Sequence, residues 1–318
     1  MNNFWQFQNN EWLIFLPALV GFTYYVVVKA FKLKKAMSRS NQVNAFGVGL
    51  ILGLPVVSYL LHYEVSYFLF ALLLLGVVNF LDDLFEVHYV WRLMLQFVAC
   101  SFLLMEHQLF YSYWGPVLLF LCVGFLNAFN FMDGINGYVG TYSFALILSL
   151  VVLTDRIEAD TKLLGWSTIV FLMVFLVLNF RTKALAWLGD TGSIALGLII
   201  LHLFFSIFNG YKLYLFLVFG SVFIIDAGYT LFHRNFKGKN VFERHREHLY
   251  QQITNHKNFK AYWWIFTVCF LQFVVNILLI QIEKTILQAY VAGCVFILMI
   301  IGYALLKRYV VKMNVEKS

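Results

Sequence analysis

Long apolar runs broken by short polar segments make up almost the whole chain. A hydrocarbon core of about 30 Å takes roughly 20 apolar residues per helix. On that ruler eleven runs are predicted to span, at about 11–31, 45–62, 65–81, 92–107, 112–129, 138–154, 162–180, 190–208, 211–232, 261–281 and 286–307. The predicted class is therefore an all-α polytopic membrane protein. Eleven passes send successive connections to alternate sides. One side then collects nineteen of the 23 Lys and Arg, and the other holds only Arg156, Lys162, Lys212 and Lys284. By the positive-inside rule the first side is cytoplasmic, with the N-terminus outside and the C-terminus inside. Residues 1–318 read as a single integral-membrane unit, without a soluble domain, a repeat or a low-complexity linker. The one sizeable hydrophilic segment, about 233–260, falls on the inner side.

Composition strengthens this picture. The chain is 62% hydrophobic and 12% charged, with 35 Phe and a mean hydropathy of +0.78. A soluble domain of 318 residues cannot bury that much apolar surface. The net charge of +7 follows the loops, so it reports membrane topology and no nucleic-acid partner is expected. Cys100, Cys122, Cys269 and Cys294 all lie in apolar runs, with no disulfide framework and no zinc spacing. The N-terminus lacks the basic region of a cleaved signal peptide, and its first run is long enough to span.

The polar exceptions cluster at the inner connections. In NAFNFMDGINGYVG, Asn127–Gly140, the residues Asn127, Asn130, Asp133 and Asn136 recur every three positions. A helix continuing through them would show all four on roughly one face. Such groups at a bilayer edge are costly unless something polar faces them. Hard oxygen ligands, amide donors and small glycines suit a divalent cation with a diphosphate; helix capping and packing is the plainer alternative. LDDLFEVHYVWRLMLQ places Asp82 beside Asp83, with Arg92 and Gln96 four apart on the next helix. Adjacent carboxylates repel unless a cation relieves them. WLGDTGSIALG places Asp190 at a helix start, where it is either a metal ligand near a phosphate or a simple N-cap. Arg244, His245, Arg246 and His248 crowd the last inner loop. Arg and His there suit phosphate oxygens better than zinc. In the first inner loop, Lys32, Lys34 and Lys35 read as ordinary anchoring, and the Gly49–Gly53 spacing reads as helix packing. Together, connections at about 32–44, 82–91, 127–137, 181–192 and 233–260 would form one catalytic site.

These motifs resemble the polyprenyl-phosphate N-acetylhexosamine-1-phosphate transferases, the family of WecA, TagO and MraY. LDDLFEV with WRLMLQ is similar to its DDxxx segment, NAFNFMDGINGYVG to NxxNxxDGxDGL, WLGDTGSIALG to its GD-x-GS motif, and ERHREHLYQQ to its R-x-H loop. HREHLYQ most resembles the WecA branch, which initiates O-antigen or capsule chains. Asn136 stands where many members have Asp, Arg92 where Lys is usual, and the first-loop motif is degenerate, with Arg39 as its remnant.

The resemblance implies transfer of a sugar 1-phosphate from a UDP-N-acetylhexosamine to undecaprenyl phosphate, with release of UMP. It implies Mg²⁺, with Mn²⁺ as a substitute, held by Asp190 and Asn130. It gives Asp82 and Asp83 the acceptor phosphate or its proton, and Asp133 the nucleotide side. It makes Arg246 and His248 holders of the donor phosphates, and Asn127, Asn136 and Arg92 further substrate contacts. Membrane lipids and a possible homodimer complete the expected partners, and a two-step route through an aspartyl-phosphate stays open. A UbiA-like prenyltransferase would need a second clustered Asp motif. A transporter would place its charges near the midplane, and a non-catalytic scaffold would leave the dense motifs unused.

Overall fold

A computed structural model describes residues 11–38, 42–60, 66–85, 87–153, 158–208, 212–240, 245–254 and 260–315. Thirteen α-helices form among them: α1 (Leu16–Ala30), α2 (Val48–Leu60), α3 (Tyr67–Phe85), α4 (Tyr89–Glu106), α5 (Gly115–Met132), α6 (Tyr138–Leu153), α7 (Ala159–Asn179), α8 (Gly189–Ile207), α9 (Leu213–Phe219), α10 (Ser221–Phe236), α11 (Leu249–Thr254), α12 (Ala261–Ile280) and α13 (Thr285–Val315). No strand forms among the described residues, which carry only isolated β-bridges. The all-α membrane class is borne out. Eight helices are long and apolar enough to cross a bilayer, and α2 and Tyr138–Val152 are shorter apolar helices.

Helix α8 is the axis of the bundle. Every residue from Thr191 to Phe205 is buried, as expected of a helix apolar on all sides. Helices α3, α5 and α6 pack around it. Helix α2 reaches it where Gly47 meets Gly192 backbone to backbone. On its other face α2 packs against α1. A Cβ on Gly49 would stand 2.6 Å from the Pro17 carbonyl oxygen, and one on Gly53 would stand 2.5 Å from Pro17 Cα. The Gly49–Gly53 spacing is thus a packing device, as read from the sequence.

Three expected boundaries move, each for a local reason. Helix α3 runs on to Phe85, so Asp82 and Asp83 ride its last turn and are not in a loop. Helix α5 stops at Met132, and Asp133 leaves helical geometry at its C-cap. Asn136 therefore does not continue the face of Asn127 and Asn130. The run at 211–232 is not one helix: it breaks at Gly220 into α9 and α10. A Cβ there would stand 2.5 Å from the Phe125 ring.

A break in an apolar setting strands backbone groups, which must find partners. Two amides on α12 supply them. Gln272 Nε2 donates to the Val218 carbonyl at 2.9 Å, and its Oε1 accepts from Ser221 Oγ at 3.0 Å and from the Val222 N–H at 3.4 Å. Asn276 Nδ2 donates to the Phe219 carbonyl at 3.4 Å. Both amides are fully buried.

Candidate active site

Residues of several connections expected to be cytoplasmic contact one another at one end of the bundle. The meeting point is the start of α8. Leu188 precedes it with helical dihedrals and no side-chain cap. The capping acceptor comes instead from α3. Asp83 Oδ1 accepts the Asp190 N–H at 3.0 Å, while Oδ2 accepts the Thr191 N–H at 3.1 Å and Thr191 Oγ1 at 2.5 Å. A carboxylate at a helix N-terminus satisfies free N–H groups and meets the positive end of the dipole. Gly189 makes this approach possible. Its φ is +75°, and any Cβ would run into the Asp83 carboxylate.

With the cap supplied by Asp83, Asp190 is free of that duty, and the N-cap alternative is excluded. Its carboxylate turns to Arg92 at the start of α4, with Arg92 Nη1 2.9 Å from Asp190 Oδ2. The same nitrogen donates to Asp82, whose other oxygen accepts the Val87 N–H at 2.7 Å. One guanidinium thus bridges two motifs that lie about 100 residues apart in sequence. Asp133 completes the acidic group from the end of α5, within electrostatic reach of Asp190 and Asp83. Crowding by protein raises its pKa, and the charges of Asp190 and Asp83 raise it further. Its accessible surface is nevertheless open to the mouth, so the mutual repulsion is the firmer cause, because exposure lets water repay much of the burial cost.

Two donors here have no partner among the described residues. Asn130 Nδ2 and Arg92 Nε are both buried without a hydrogen bond. Unpaired buried donors are costly, and they suit an anionic ligand. No three His, Cys, Asp or Glu side chains among the described residues converge tightly enough to enclose a metal unaided. That arrangement still fits Mg²⁺, which binds through one or two carboxylates and takes its other ligands from phosphate and water.

The remaining expected residues are placed less directly. Asn127 Nδ2 donates to Gln96 Oε1 at 2.6 Å and to the Val123 carbonyl, so it joins α5 to α4. Asn136 Nδ2 donates to the Arg181 carbonyl at 2.8 Å. It ties the turn after α5 to the connection before α8. Arg246 is exposed. His248 is not a freely presented phosphate contact: it is buried at 2% exposure, with Nδ1 3.3 Å from Asp226 Oδ1. Asp226 on α10 also accepts the Leu249 N–H at 3.0 Å and Tyr303 hydroxyl at 3.0 Å, fixing the start of α11. Arg39, Glu86 and Arg244 lie outside the described residues.

Three positioning groups escape the sequence reading of the site. Asp226 lies late in the run at 211–232 and belongs to none of the motifs. Asn179 is buried, and its Oδ1 accepts the Gly137 N–H at 2.6 Å while Nδ2 donates to the Ala186 carbonyl at 2.8 Å. Tyr250 hydroxyl donates to the Phe131 carbonyl at 2.9 Å, where a side chain on Gly134 would collide with it. Among these, only the glycines of NAFNFMDGINGYVG signalled a close approach. The first inner connection is held too. Val43 pairs with Leu185 and Trp187, and Phe46 and Gly47 donate to the Trp187 and Leu188 carbonyls.

Fold and site together define a polytopic membrane protein whose helix ends assemble an acidic, donor-lined mouth. Residues 65–208, which carry three of the four motifs, match the family model described as Glycosyl transferase family 4. The chain is 27% identical over 230 residues to a Phospho-N-acetylmuramoyl-pentapeptide-transferase of Streptococcus pneumoniae (strain Taiwan19F-14), covering 61% of this chain and 67% of that one. It is 27% identical over 194 residues to the protein of the same name from Carboxydothermus hydrogenoformans (50% and 58% coverage). For that of Geobacillus thermodenitrificans the identity is 31% over 144 residues (44% and 43%). The chain thus spans between about two fifths and two thirds of the lengths of these relatives. The likeness to Glycosyl transferase family 4 thus rests on residues 65–208.

Proposed function

We propose that this protein transfers an N-acetylhexosamine 1-phosphate from a UDP-sugar to undecaprenyl phosphate and releases UMP, at the inner face of a bacterial cytoplasmic membrane. One observation carries the reading. Asp82, Asp83, Asp133 and Asp190 gather around Arg92, whose Nε is unpartnered, and Asn130, with an unpartnered Nδ2, lies three residues before Asp133 on α5. A nucleoside diphosphate with a divalent cation would engage both halves of that set. When bound, Mg²⁺ would neutralise charge on the diphosphate. Asp190 would hold it, with the Asn130 carbonyl oxygen as second ligand.

The acceptor phosphate needs little activation. Its second pKa is near 6, so much of it is a dianion at neutral pH. Its oxygen attacks the β-phosphorus, and the bond from that phosphorus to the UMP oxygen breaks. The chain's task is then alignment and charge stabilisation. Asp82 positions the acceptor phosphate or receives its residual proton. Asp83 holds the start of α8 so that Asp190 faces the mouth. Arg92, bonded to Asp82 and Asp190, is placed to turn to a phosphate as it arrives. Asp133 orders the nucleotide side, and the exposed Arg246 meets donor phosphates from the rim. His248, buried on Asp226, shapes the wall near Phe131, against which its ring stacks.

The HREHLYQ segment favours the WecA-like branch and N-acetylhexosamine donors, although the relatives described above bear the pentapeptide-transferase name. The test is UMP release from a panel of UDP-sugars, including UDP-N-acetylmuramoyl-pentapeptide, with undecaprenyl phosphate and Mg²⁺. Release should occur with a UDP-N-acetylhexosamine, stop in EDTA and return with Mg²⁺ or Mn²⁺. Turnover of the pentapeptide donor alone would overturn the branch, and full turnover in chelator would overturn the metal.

A further inference from the structure

A second concavity, of opposite charge, lies away from the acidic mouth. It is a cavity of about 650 Å³ between the charged ends of α10 and α13 and the segment leading into α11. None of the mouth residues lines it. Five basic side chains do: Lys237, Lys239, Lys307, Arg308 and Lys312, against one carboxylate, Glu247.

That carboxylate is already engaged. Glu247 Oε1 lies 2.7 Å from Arg234 Nη1 and 2.9 Å from Lys239 Nζ. Lys307 donates to the Glu247 backbone carbonyl. The buried Asp226 behind it is committed to α11, Tyr303 and His248. Lys237 and Arg308 have no side-chain partner among the described residues. The cavity therefore holds surplus positive charge that its own protein does not neutralise. Its surroundings are apolar and exposed. Phe232 and Phe236 on α10 are 72% and 83% exposed, and Leu305 and Tyr309 on α13 are 61% and 63%. A basic pocket bordered by bare apolar helix faces suits an occupant with an anionic head and an apolar body, which a soluble phosphate lacks.

We propose that this cavity seats the phosphodiester headgroup of an anionic membrane phospholipid, whose acyl chains lie along the exposed apolar faces of α10 and α13. The proposal stands apart from the transferase reading, since it uses none of the residues of the acidic mouth. Lys237 and Arg308 supply the attraction, and Tyr229, in edge-to-face contact with Tyr303 at 5.2 Å between centroids, lines the cavity.

The test is binding and thermal stability of the full chain in neutral detergent micelles doped with phosphatidylglycerol, with phosphatidylcholine, or with neither, and separately with inorganic phosphate or UDP. Phosphatidylglycerol should bind and raise the melting temperature, and phosphatidylcholine should not. The double variant Lys237→Ala/Arg308→Ala should weaken phosphatidylglycerol binding about thirtyfold, the worth of two cations near an anionic surface. Its melting temperature in undoped detergent should stay unchanged, because neither side chain holds a structural partner. Equal effects of the two lipids, or full binding by the double variant, would overturn the proposal. Displacement of phosphatidylglycerol by phosphate or UDP at equal concentration would reassign the cavity to a soluble anion and overturn it as well.

Discussion

Asp190→Asn and Asp83→Ala separate two roles that sequence alone leaves merged. Asp190 carries no cap in the structure, so exchanging its carboxylate for an amide leaves α8 intact. What it loses is the pair with Arg92. Those side chains are 29% and 23% exposed, and partly exposed pairs contribute about 0.2–1 kcal/mol. Relief of the repulsion from Asp83 and Asp133 offsets part of that loss. The net stability change of Asp190→Asn should therefore stay within about 1 kcal/mol. Asp83→Ala is different. It strips the acceptor from the Asp190 and Thr191 N–H groups and from Thr191 Oγ1. Losing a cap costs about 1–2 kcal/mol, and losing a charge at the helix N-terminus adds about 0.3–1. Water at the mouth can hydrate the freed groups, so about 2 kcal/mol is the working figure. For turnover the effect of Asp190→Asn should be large. Removing one electrostatic group from such a site costs about a hundredfold or more, close to 3 kcal/mol of barrier. The assays are UMP release at saturating substrates and thermal denaturation in one detergent. Asp190→Asn should melt near the parent and turn over at about one hundredth of its rate or less. Asp83→Ala should melt clearly lower. Near-normal turnover by Asp190→Asn, or destabilisation equal to that of Asp83→Ala, would refute the division of labour.

Gly189→Ala should lose activity although it removes no polar group. A side chain at φ +75° is strained by about 1–2 kcal/mol and pushes Asp83 off the α8 terminus, so melting temperature and UMP release should fall together. Asp133 gives a pH signature. Its raised pKa means that its contribution to stability is complete below the ordinary carboxylate range, about pH 4, and is lost as the pH rises through the raised value. Asp133→Asn should flatten that decline in melting temperature between about pH 4 and 8, and an unchanged profile would count against the repulsion. A cysteine at the exposed Thr182 should be labelled in intact cells only by a membrane-permeant reagent, and labelling by an impermeant one would reverse the assigned orientation.

Much of the architecture was legible because lipid leaves few options. Apolar runs of spanning length have to become helices, and Asp83, Asp133 and Asp190 stood out because charge at the end of such a run is costly. Their division of labour was not legible. Asp190 occupies a cap-like position in sequence, and only the approach of α3 shows that Asp83 performs that task. Asn127 and Asn136 looked like ligands by residue type, yet their amides bond Gln96 and the Arg181 carbonyl. Long-range partners of that kind leave no local periodicity. His248, a donor-phosphate contact by resemblance, is buried against Asp226, 22 positions earlier, a partner that the local sequence does not announce. Gly220 gave no warning of the break, since the residues just before it and most of those after it are apolar.

That break also dictates an order of assembly. The carbonyls of Val218 and Phe219 are released where α9 gives way to α10, and the donors that satisfy them are Gln272 Nε2 and Asn276 Nδ2 on α12. Synthesis delivers α9 and α10 first and α12 only after the intervening loop. Until Ala261–Ile280 has entered the bilayer, the bend would leave backbone groups bare in hydrocarbon, where nothing else satisfies them. The angle of α10, and with it the seat of Asp226 and His248, can be completed only by a helix that arrives later. The acidic mouth can be drawn together from α3, α4, α5 and α8 before that point, but its His248 wall is among the last parts of the protein to be set.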